Sequence, residues 1–478
     1  MPSHSSDHVG LVNASPSRIV VTGASGNVGS GVLRALARRM PEAEVVGVCR
    51  RPPTVGKLYE GIRWHAVDLS SPTAAAELAP AMEGADVIVH LALAVQPVDD
   101  EAHLYRANVL GSRAVLDAMA VAGVPHLVYA SSLGIYAPTA IESTTATVPV
   151  AEDWPDTGQP TSAYSRHKVV VERMLDDFTE RHPEITVARF RPTVVVQRQA
   201  AYLIKSLYLG PLVPRALFGL LRRRPLPVVP LPTGIALQFV HADDVGDLVT
   251  RLIERRSHGS FNVAADVLDA DGIAGLVGGR AVAVDPRWVR TAVTVLHALR
   301  MVPLTPGWYD VATNTPLMDT SRARDELDWA PTRSSVESAW ELINGLADAA
   351  VGSSPATGWT PPKGKTPPAT GFRGISDRTH DVSLLLWTTL ALARALGVGK
   401  TGAPTTVAVV TNLASGTPMA AQRVLARRRD PVALLAPVAV AVALAATRHG
   451  GWAPVVATGV LNVLNVCERR RNRSVAHE

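Results

Sequence analysis

The sequence predicts an α/β protein built on a doubly wound, mostly parallel sheet. From Arg18 to about Ala350, short runs rich in β-branched residues alternate with longer amphipathic runs. This alternation is typical of strands joined by crossover helices. The composition agrees, because 47% hydrophobic and 19% charged residues over 478 positions indicate a globular chain with a sizeable core.

The strands and helices of this pattern follow one another in a regular order. The strand-like runs read "RIVVTG", "AEVVGVC", "DVIVHLA", "HLVYASS" and "ITVARFRP". Helix-like runs such as "NVGSGVLRALARRM" and "YRANVLGSRAVLDAMAVAG" stand between them. We therefore expect a sheet of parallel strands with helices on its faces.

Changes in composition divide the chain into four parts. Residues 1–17 are polar, and we expect them to be a disordered lead, whereas residues 18–350 carry the α/β pattern. Residues 351–378 are rich in Pro, Gly, Thr and Ser without apolar periodicity, which predicts a flexible linker. Residues 379–478 are dominated by Ala, Val and Leu and predict an apolar helical extension.

Charge and cysteine content exclude several classes of protein. The net charge of +5 and the pI near 9.3 come without a long basic block in the first 350 residues, so no nucleic-acid partner is predicted. Cys49 and Cys467 are the only cysteines and lack metal-ligand spacing, so neither a disulfide framework nor a metal site is predicted. The N-terminus does not read as a secretory signal, and we expect a reducing, intracellular setting.

A glycine-rich turn opens the domain in "RIVVTGASGNVGSGVLRALARR". Gly23 permits a tight turn, Gly26 lets the backbone approach a pyrophosphate, and Gly29 allows close packing of helix on strand. The helix N-terminus would face the phosphates. The strand before the turn and the helix after it favour a dinucleotide site, including Asn27 and Val28, over an ordinary glycine-rich turn.

The residues after the second and third strands indicate which dinucleotide is bound. Sites for NAD usually carry an acidic residue after the second strand, whereas this sequence has Arg50 and Arg51. Guanidinium groups suit a 2′-phosphate, so NADP is favoured over NAD; the alternative is that both arginines are solvated loop residues. We expect Asp68 to accept a hydrogen bond from an adenine amino group, with Leu69 and Leu91 as further cofactor contacts.

A series of motifs continues from the glycine-rich turn through the domain. In chain order, the motifs are "TGASGNVG", "VDLS", "VIVHLA", "NVLGSRAVLDA", "LVYASSLGIY", "YSRHK", "RFRPTVV", "FVHADDV" and "MDTSRARDELDWAP". Together with the features above, this series resembles the extended short-chain dehydrogenase/reductase family, of the NAD(P)-dependent epimerase/dehydratase type. The resemblance covers residues 18–347 and implies a Rossmann-type sheet with a small C-terminal substrate subdomain and a bound NADP or NAD.

The same resemblance assigns the catalytic residues. The family's serine matches Ser132, with Ser131 as the adjacent alternative, and its YxxxK pair matches Tyr164 and Lys168. A spacing of four places both side chains on one helix face. A nearby Lys168 charge would lower the phenol pKa from about 10, and the resemblance implies that Lys168 also holds the nicotinamide ribose.

Three further positions support this site by resemblance. Asn108 matches an asparagine that ties backbone elements together near the site, although a purely structural hydrogen bond explains it equally well. Pro192 and Thr193 match the segment that lines the nicotinamide pocket.

The substrate-pocket segments are expected at about 192–240 and 258–335. Residues 201–238 are apolar and basic, with few of the amides and acids that would grip a sugar. The partner is therefore predicted to be a rather apolar small molecule, and residues 222–224 would meet an acidic group or lie on a solvated face.

Three functions fit this sequence. The first is an NAD(P)-dependent oxidoreductase that transfers a hydride to or from a secondary alcohol or ketone, with tyrosine as acid/base. The second is a nucleotide-sugar epimerase or dehydratase that retains its cofactor, and the third is a non-enzymatic NADP-binding sensor or membrane scaffold.

The C-terminal extension allows two interpretations. Its apolar runs at 381–398, 432–447 and 452–466 are short of the roughly 20 residues of a spanning helix, but arginine clusters flank the last two. Residues 381–466 would therefore either contact a membrane or form soluble helices, as a bundle or docked on the catalytic domain. The catalytic domain is expected in the cytoplasm, and homodimerisation is left open.

Overall fold

The computed structural model describes residues 16–95, 100–139, 148–209, 218–219, 226–298 and 302–359. The extension at 379–478 and most of the predicted lead therefore lie outside the described residues. Within the described ranges, no helix is both long and apolar enough to cross a membrane.

A seven-stranded parallel sheet forms the centre of the fold. The strand bounds are β1 Arg18–Thr22, β2 Glu44–Cys49, β3 Arg63–Ala66, β4 Val87–His90, β5 His126–Ala130, β6 Thr186–Pro192 and β10 Gly259–Val263. These strands lie in the order β3-β2-β1-β4-β5-β6-β10. Ile19, Val20 and Val21 of the central strand are fully buried, as expected for a strand covered on both faces.

Helices cover both faces of this sheet, and further helices belong to the smaller subdomain. The bounds are α1 Asn27–Arg39, α2 Ala74–Met82, α3 Glu101–Tyr105, α4 Gly111–Ala122, α5 Ala163–Arg181, α6 Ala201–Ile204, α7 Ala242–Glu254, α8 Ala270–Gly275, α9 Pro286–Ala298, α10 Pro306–Asn314, α11 Ser321–Leu327 and α12 Ser335–Asp348. The helix α3 leads into α4 through a π-helical turn, Arg106–Leu110, and α6 is followed by a second such turn, Lys205–Leu209.

Two apolar clusters form the core, one on each face of the sheet. One cluster joins α1 and α7 to the sheet through residues such as Leu36, Phe190 and Leu248. Glycines let these two helices approach closely, because a Cβ on Gly31 would overlap the Ala242 carbonyl oxygen. The other cluster joins α2, α4 and α5 to the opposite face.

The smaller subdomain contains two short sheets. Their strands are β7 Val194–Val196, β8 Val228–Pro232, β9 Ala236–His241, β11 Val267–Asp269 and β12 Arg280–Val284. A three-stranded sheet has the order β11-β9-β7, and β8 pairs with β12. This arrangement, with the parallel sheet and its helices, confirms the predicted fold class of the domain.

The beginning of the predicted linker departs from expectation. Residues 351–359 include a 3-10 turn, Pro355–Thr357, in which Thr357 and the preceding Ser354 are buried. Their order comes from capping hydrogen bonds and contacts with the domain, which a composition rich in Pro, Gly and Ser does not reveal.

Candidate active site

The glycine-rich turn lies at the carboxyl end of β1, where the chain passes directly into α1. Gly23 has a φ of +71°, and a Cβ there would lie 2.8 Å from the Ala92 nitrogen, so both the conformation and the space require glycine. The Gly26 nitrogen donates to the Gly23 carbonyl over 2.9 Å, and Gly26 is the N-cap of α1. The turn therefore presents the amino end of a 13-residue helix to the space above the sheet.

A cavity of about 460 Å³ opens in front of this turn. All the predicted cofactor contacts other than Lys168 line it, and they come from the ends of four strands and the start of α1. These residues are Gly23, Gly26, Asn27, Val28, Gly29, Arg50, Arg51, Asp68, Leu69 and Leu91. The cradle has no side chain over its glycines, which fits the approach of a pyrophosphate.

The far end of the cavity is basic. Arg50 and Arg51 are exposed there, and neither guanidinium makes a hydrogen bond or salt bridge to any described residue. Burial opposes the ionisation of Asp68, but hydrogen bonds from the Ser70 nitrogen at 2.9 Å and hydroxyl at 2.8 Å, with the Arg50 charge, leave the pKa of its carboxyl lowered. Asp68 is thus an ionised hydrogen-bond acceptor, and the Arg50 charge helps to keep it ionised.

A second wall of this cavity was not predicted from the sequence. Tyr202, Leu203 and Ser206 of the α6 region line it, as do Pro355 and Ala356. The first group lies in a segment predicted to face the substrate, and the second in the predicted linker. No local motif marks either group as a cavity wall.

Ser131 and Ser132 follow β5 but face different surroundings. The Ser131 hydroxyl donates to the Glu172 carboxylate in the buried interior. The Ser132 hydroxyl accepts a hydrogen bond from the Gly134 nitrogen at 2.9 Å and interacts with the Tyr164 hydroxyl. The structure therefore brings Ser132, and not Ser131, to Tyr164.

The helix α5 positions Tyr164 in its first turn. The Ser162 side chain caps the helix by accepting a hydrogen bond from the Ser165 nitrogen at 3.4 Å. Burial raises the pKa of Tyr164 to about 12, and only the Ser132 interaction opposes this rise. Near neutral pH the phenol therefore carries the proton that a general acid must supply.

Lys168 lies one turn further along α5 and is 5% exposed. Its Nζ donates to the Tyr129 hydroxyl at 3.1 Å and to the Ala130 carbonyl oxygen at 2.5 Å, and lies 4.7 Å from the centre of the Tyr129 ring. Burial lowers the pKa of Lys168 to about 7, although the Glu172 charge favours the ammonium form. The direct effect of the Lys168 charge on the Tyr164 pKa, expected from the spacing, is not seen in this arrangement.

A buried ionic network surrounds the Glu172 carboxylate that binds Ser131. Arg191 donates to the two Glu172 carboxylate oxygens at 3.1 and 2.8 Å, and Arg189 adds a bond at 3.2 Å. Glu172 and Arg191 are 2% and 4% exposed. The network holds the carboxylate that binds Ser131. A sequence signal for it exists, because β6 carries two arginines among mostly apolar residues.

An aromatic pair covers Tyr164. The Trp308 ring of α10 stacks on Tyr164 with ring centres 4.5 Å apart and an interplanar angle of 26°. Tyr208 meets Trp308 edge-on at 5.7 Å. Thr305 begins α10 by accepting a hydrogen bond from the Trp308 nitrogen at 3.1 Å, so the indole is held at the start of a helix.

The predicted supporting residues have separate roles. Asn108 lies in the π-helical turn, where its side chain binds both the nitrogen and the carbonyl of Ala94, at 2.7 and 2.8 Å. This fixes part of the cavity wall. Pro192 ends β6, and the hydroxyl of the next residue, Thr193, is buried with no hydrogen-bond partner among the described residues. Neither Pro192 nor Thr193 is among the residues that line the cavity in front of the glycine-rich turn.

Within the described ranges, no group of His, Cys, Asp and Glu residues could hold a metal ion.

The chain is similar to several known proteins. The model of the NAD dependent epimerase/dehydratase family matches residues 19–264. The L-arabinose 1-dehydrogenase (NAD(P)(+)) of Haloferax volcanii is 31% identical over 170 residues, which cover 34% of this chain and 62% of that protein. The UDP-glucose 4-epimerase of Yersinia pestis is 34% identical over 88 residues, or 18% of this chain and 24% of that protein. The chain thus spans less than two thirds of either relative.

Among solved structures, the UDP-glucose 4-epimerase of Thermus thermophilus, described as a complex with NAD, resembles this chain with a TM-score of 0.50 and 18% identity. The match covers 70% of this chain and 99% of that one. It supports the fold of the domain.

Proposed function

Since the chain belongs to the NAD dependent epimerase/dehydratase family, we propose that it is an NAD(P)-dependent oxidoreductase that interconverts a secondary alcohol and a ketone. One observation carries this proposal: Ser132 and Tyr164 converge at the carboxyl edge of the sheet that also forms the dinucleotide cavity. Ligands of open α/β sheets bind at this edge.

The cavity residues would hold NADP in preference to NAD. The glycine turn and the α1 N-terminus would bind the pyrophosphate, and Asp68 would accept from the adenine amino group. Neither Arg50 nor Arg51 has a hydrogen-bonded or ion-paired partner for its guanidinium among the described residues, so both groups would be available to bind a 2′-phosphate. When bound, the dinucleotide supplies or accepts the hydride.

In the reductive direction, Ser132 and Tyr164 would each donate a hydrogen bond to the substrate carbonyl oxygen. As negative charge develops on that oxygen, Tyr164 transfers its proton to it, and the product alcohol leaves a phenolate that must be reprotonated before the next turnover. Lys168 would stabilise the phenolate, because its Nζ is held at the end of β5 and Lys168 lies one helical turn from Tyr164. Oxidation reverses each proton transfer.

The aromatic cover favours an apolar substrate. Trp308 lies against the Tyr164 ring, and Tyr208 lies against Trp308, so a substrate that reaches the phenol meets aromatic surfaces. Such surfaces bind apolar groups and supply few hydrogen bonds. We expect a hydrophobic ketone or alcohol.

A nucleotide-sugar epimerase or dehydratase is the second candidate. The same Ser132 and Tyr164 would serve it, and it requires a dinucleotide that stays bound throughout turnover. The contact between residues 351–359 and the dinucleotide cavity favours it, because a covered cofactor leaves slowly.

One experiment tests the proposal. The full chain is purified, its affinities for NADPH and NADH are measured by fluorescence titration, and it is offered apolar ketones and nucleotide sugars. We expect tighter binding of NADPH and net oxidation of NADPH with an apolar ketone. Ser132→Ala should lower that rate about 10-fold or more while cofactor binding stays unchanged. Sugar epimerisation without net NADPH oxidation would support the second candidate, and binding of neither dinucleotide at micromolar concentration would refute both.

A further inference from the structure

The chain returns to the dinucleotide cavity after the last helix of the domain. The helix α12 ends at Asp348, and residues 351–359, here called the strap, then place Pro355 and Ala356 in the wall of the cavity. We propose that the strap is part of the dinucleotide site and slows the release of the bound dinucleotide. This inference rests on the proposed function in one respect, that a dinucleotide occupies the cavity.

The strap is internally ordered. Ser354 and Thr357 form a reciprocal capping box around the 3-10 turn, and Pro355 stands at its first position. The Gly352 nitrogen donates to the Thr357 carbonyl at 2.8 Å, and the Trp359 nitrogen donates to the Ser354 carbonyl at 2.9 Å. These bonds close the strap into a compact loop.

The strap is anchored to the glycine-rich turn itself. The Ser354 hydroxyl donates a hydrogen bond of 2.6 Å to the carbonyl oxygen of Ser25, which lies between Gly23 and Gly26. Ser354 is fully buried. A direct, buried contact therefore joins the strap to the segment that is predicted to bind the pyrophosphate.

Two further contacts fix the ends of the strap. Ser353 packs against Gly56 in the loop after β2, where an added Cβ would lie 2.8 Å from the serine Cβ. At the other end, Gly358 packs so closely on the Tyr202 ring that an added Cβ would lie 2.5 Å from it. Tyr202 also lines the cavity, so the strap bridges two of its walls.

The side chains of the strap indicate that it retains the dinucleotide and does not distinguish NADPH from NADH. The side chains that it gives to the cavity, Pro355 and Ala356, have no group that could read a phosphate or a base. A dinucleotide that leaves past this wall requires the strap to separate from the turn, which breaks the Ser354 bond. The strap should therefore slow the release of NADPH and NADH by the same factor, unlike Arg50 and Arg51, which distinguish them.

The test compares dissociation rates in the full chain. Ser354→Ala removes the anchor together with the serine side chain of the capping box, and it leaves the Ser25 carbonyl without its partner. Ser334→Ala is the matched control, because it removes a capping-box serine at the start of α12, which does not line the cavity. NADPH and NADH are each displaced from the protein in a stopped-flow fluorimeter.

We expect Ser354→Ala to accelerate the release of both dinucleotides about 10-fold and Ser334→Ala to change neither by more than about twofold. Pro355→Gly, which loosens the strap but keeps the Ser354 hydroxyl, should act in the same direction as Ser354→Ala and covers the case in which that variant does not fold. Unchanged release rates in Ser354→Ala and Pro355→Gly, or acceleration of one dinucleotide alone, would overturn the inference and leave the proposed function intact. If the wild-type chain binds neither dinucleotide at micromolar concentration, the proposed function and the strap's role both fail.

Discussion

Replacing Arg191 with methionine leaves the Glu172 carboxylate buried without its principal counter-charge. In the folded chain, Glu172 is 2% exposed and accepts two hydrogen bonds from Arg191, at 3.1 and 2.8 Å. Removing one partner of a buried ion pair typically costs about 3–5 kcal/mol. Because Arg189 still binds Glu172 at 3.2 Å, we expect the lower end of this range, about 3 kcal/mol, for Arg191→Met.

The assay is chemical unfolding of the full chain by urea, followed by tryptophan fluorescence. Arg173→Met is the matched control, because Arg173 lies on the same helix as Glu172 and pairs with Asp156 at 2.5 Å, but its side chain is 55% exposed. An exposed pair contributes about 0–1 kcal/mol. If Arg191→Met cost no more than this control, the assignment of the network as a buried structural support would be wrong.

The pH dependence of the stability of the same variant gives a second, independent test of the buried ion pair. Burial opposes ionisation of Glu172, but the contacts with Arg191, Ser131 and Arg189 together outweigh it, so the pKa of the folded wild-type carboxyl is lowered. Glu172 therefore stabilises the wild type above its unfolded pKa of about 4.3, and this contribution is lost as the pH falls through the folded pKa. Without Arg191, burial should raise that pKa. The destabilisation by Arg191→Met should thus shrink between pH 8 and pH 5 as the carboxyl becomes protonated, and a constant difference would contradict the argument.

Other substitutions test the packing, the cofactor preference and the substrate class. Gly31→Ala should cost about 2 kcal/mol or more in urea unfolding, because its Cβ overlaps a backbone carbonyl, whereas Gly275→Ala, with nothing within 4 Å, should be neutral or stabilising by about 0.5–1 kcal/mol. Arg51→Ser should weaken NADPH binding about 10-fold and leave NADH binding within about twofold in fluorescence titrations. Equal losses of affinity for NADPH and NADH would contradict the binding of a 2′-phosphate by Arg51. Trp308→Ala should raise KM for an apolar ketone about 10-fold at unchanged NADPH affinity, and an unchanged KM would show that the indole does not contact substrate.

The sheet and the glycine turn could be predicted because their signals are local. Alternating apolar runs define strands and helices, and the glycine spacing between Gly23 and Gly29 encodes a backbone shape that few other sequences adopt. The residues that line the dinucleotide cavity from the strand ends were predicted for the same reason, since parallel strands all end at one edge.

Contacts between distant segments could not be predicted in this way. Trp308 stacks on Tyr164 across 144 positions of sequence, and nothing near either residue marks the pairing. The strap reads as a linker because its order depends on caps and on the Ser25 carbonyl, and not on apolar periodicity. Likewise, the bonds of Lys168 to the end of β5 depend on how α5 lies on the sheet, which the helix spacing alone does not specify.

The proposed mechanism depends most directly on Tyr164 as the proton donor beside a bound dinucleotide. The decisive measurement compares NADPH affinity and ketone-dependent NADPH oxidation in the wild type, in Tyr164→Phe and in Tyr105→Phe, a control whose side chain is 43% exposed. We predict that Tyr164→Phe binds NADPH within about twofold of the wild type but turns over at least about 100-fold more slowly, while Tyr105→Phe retains both properties. Turnover by Tyr164→Phe close to the wild-type rate would contradict the proposed mechanism.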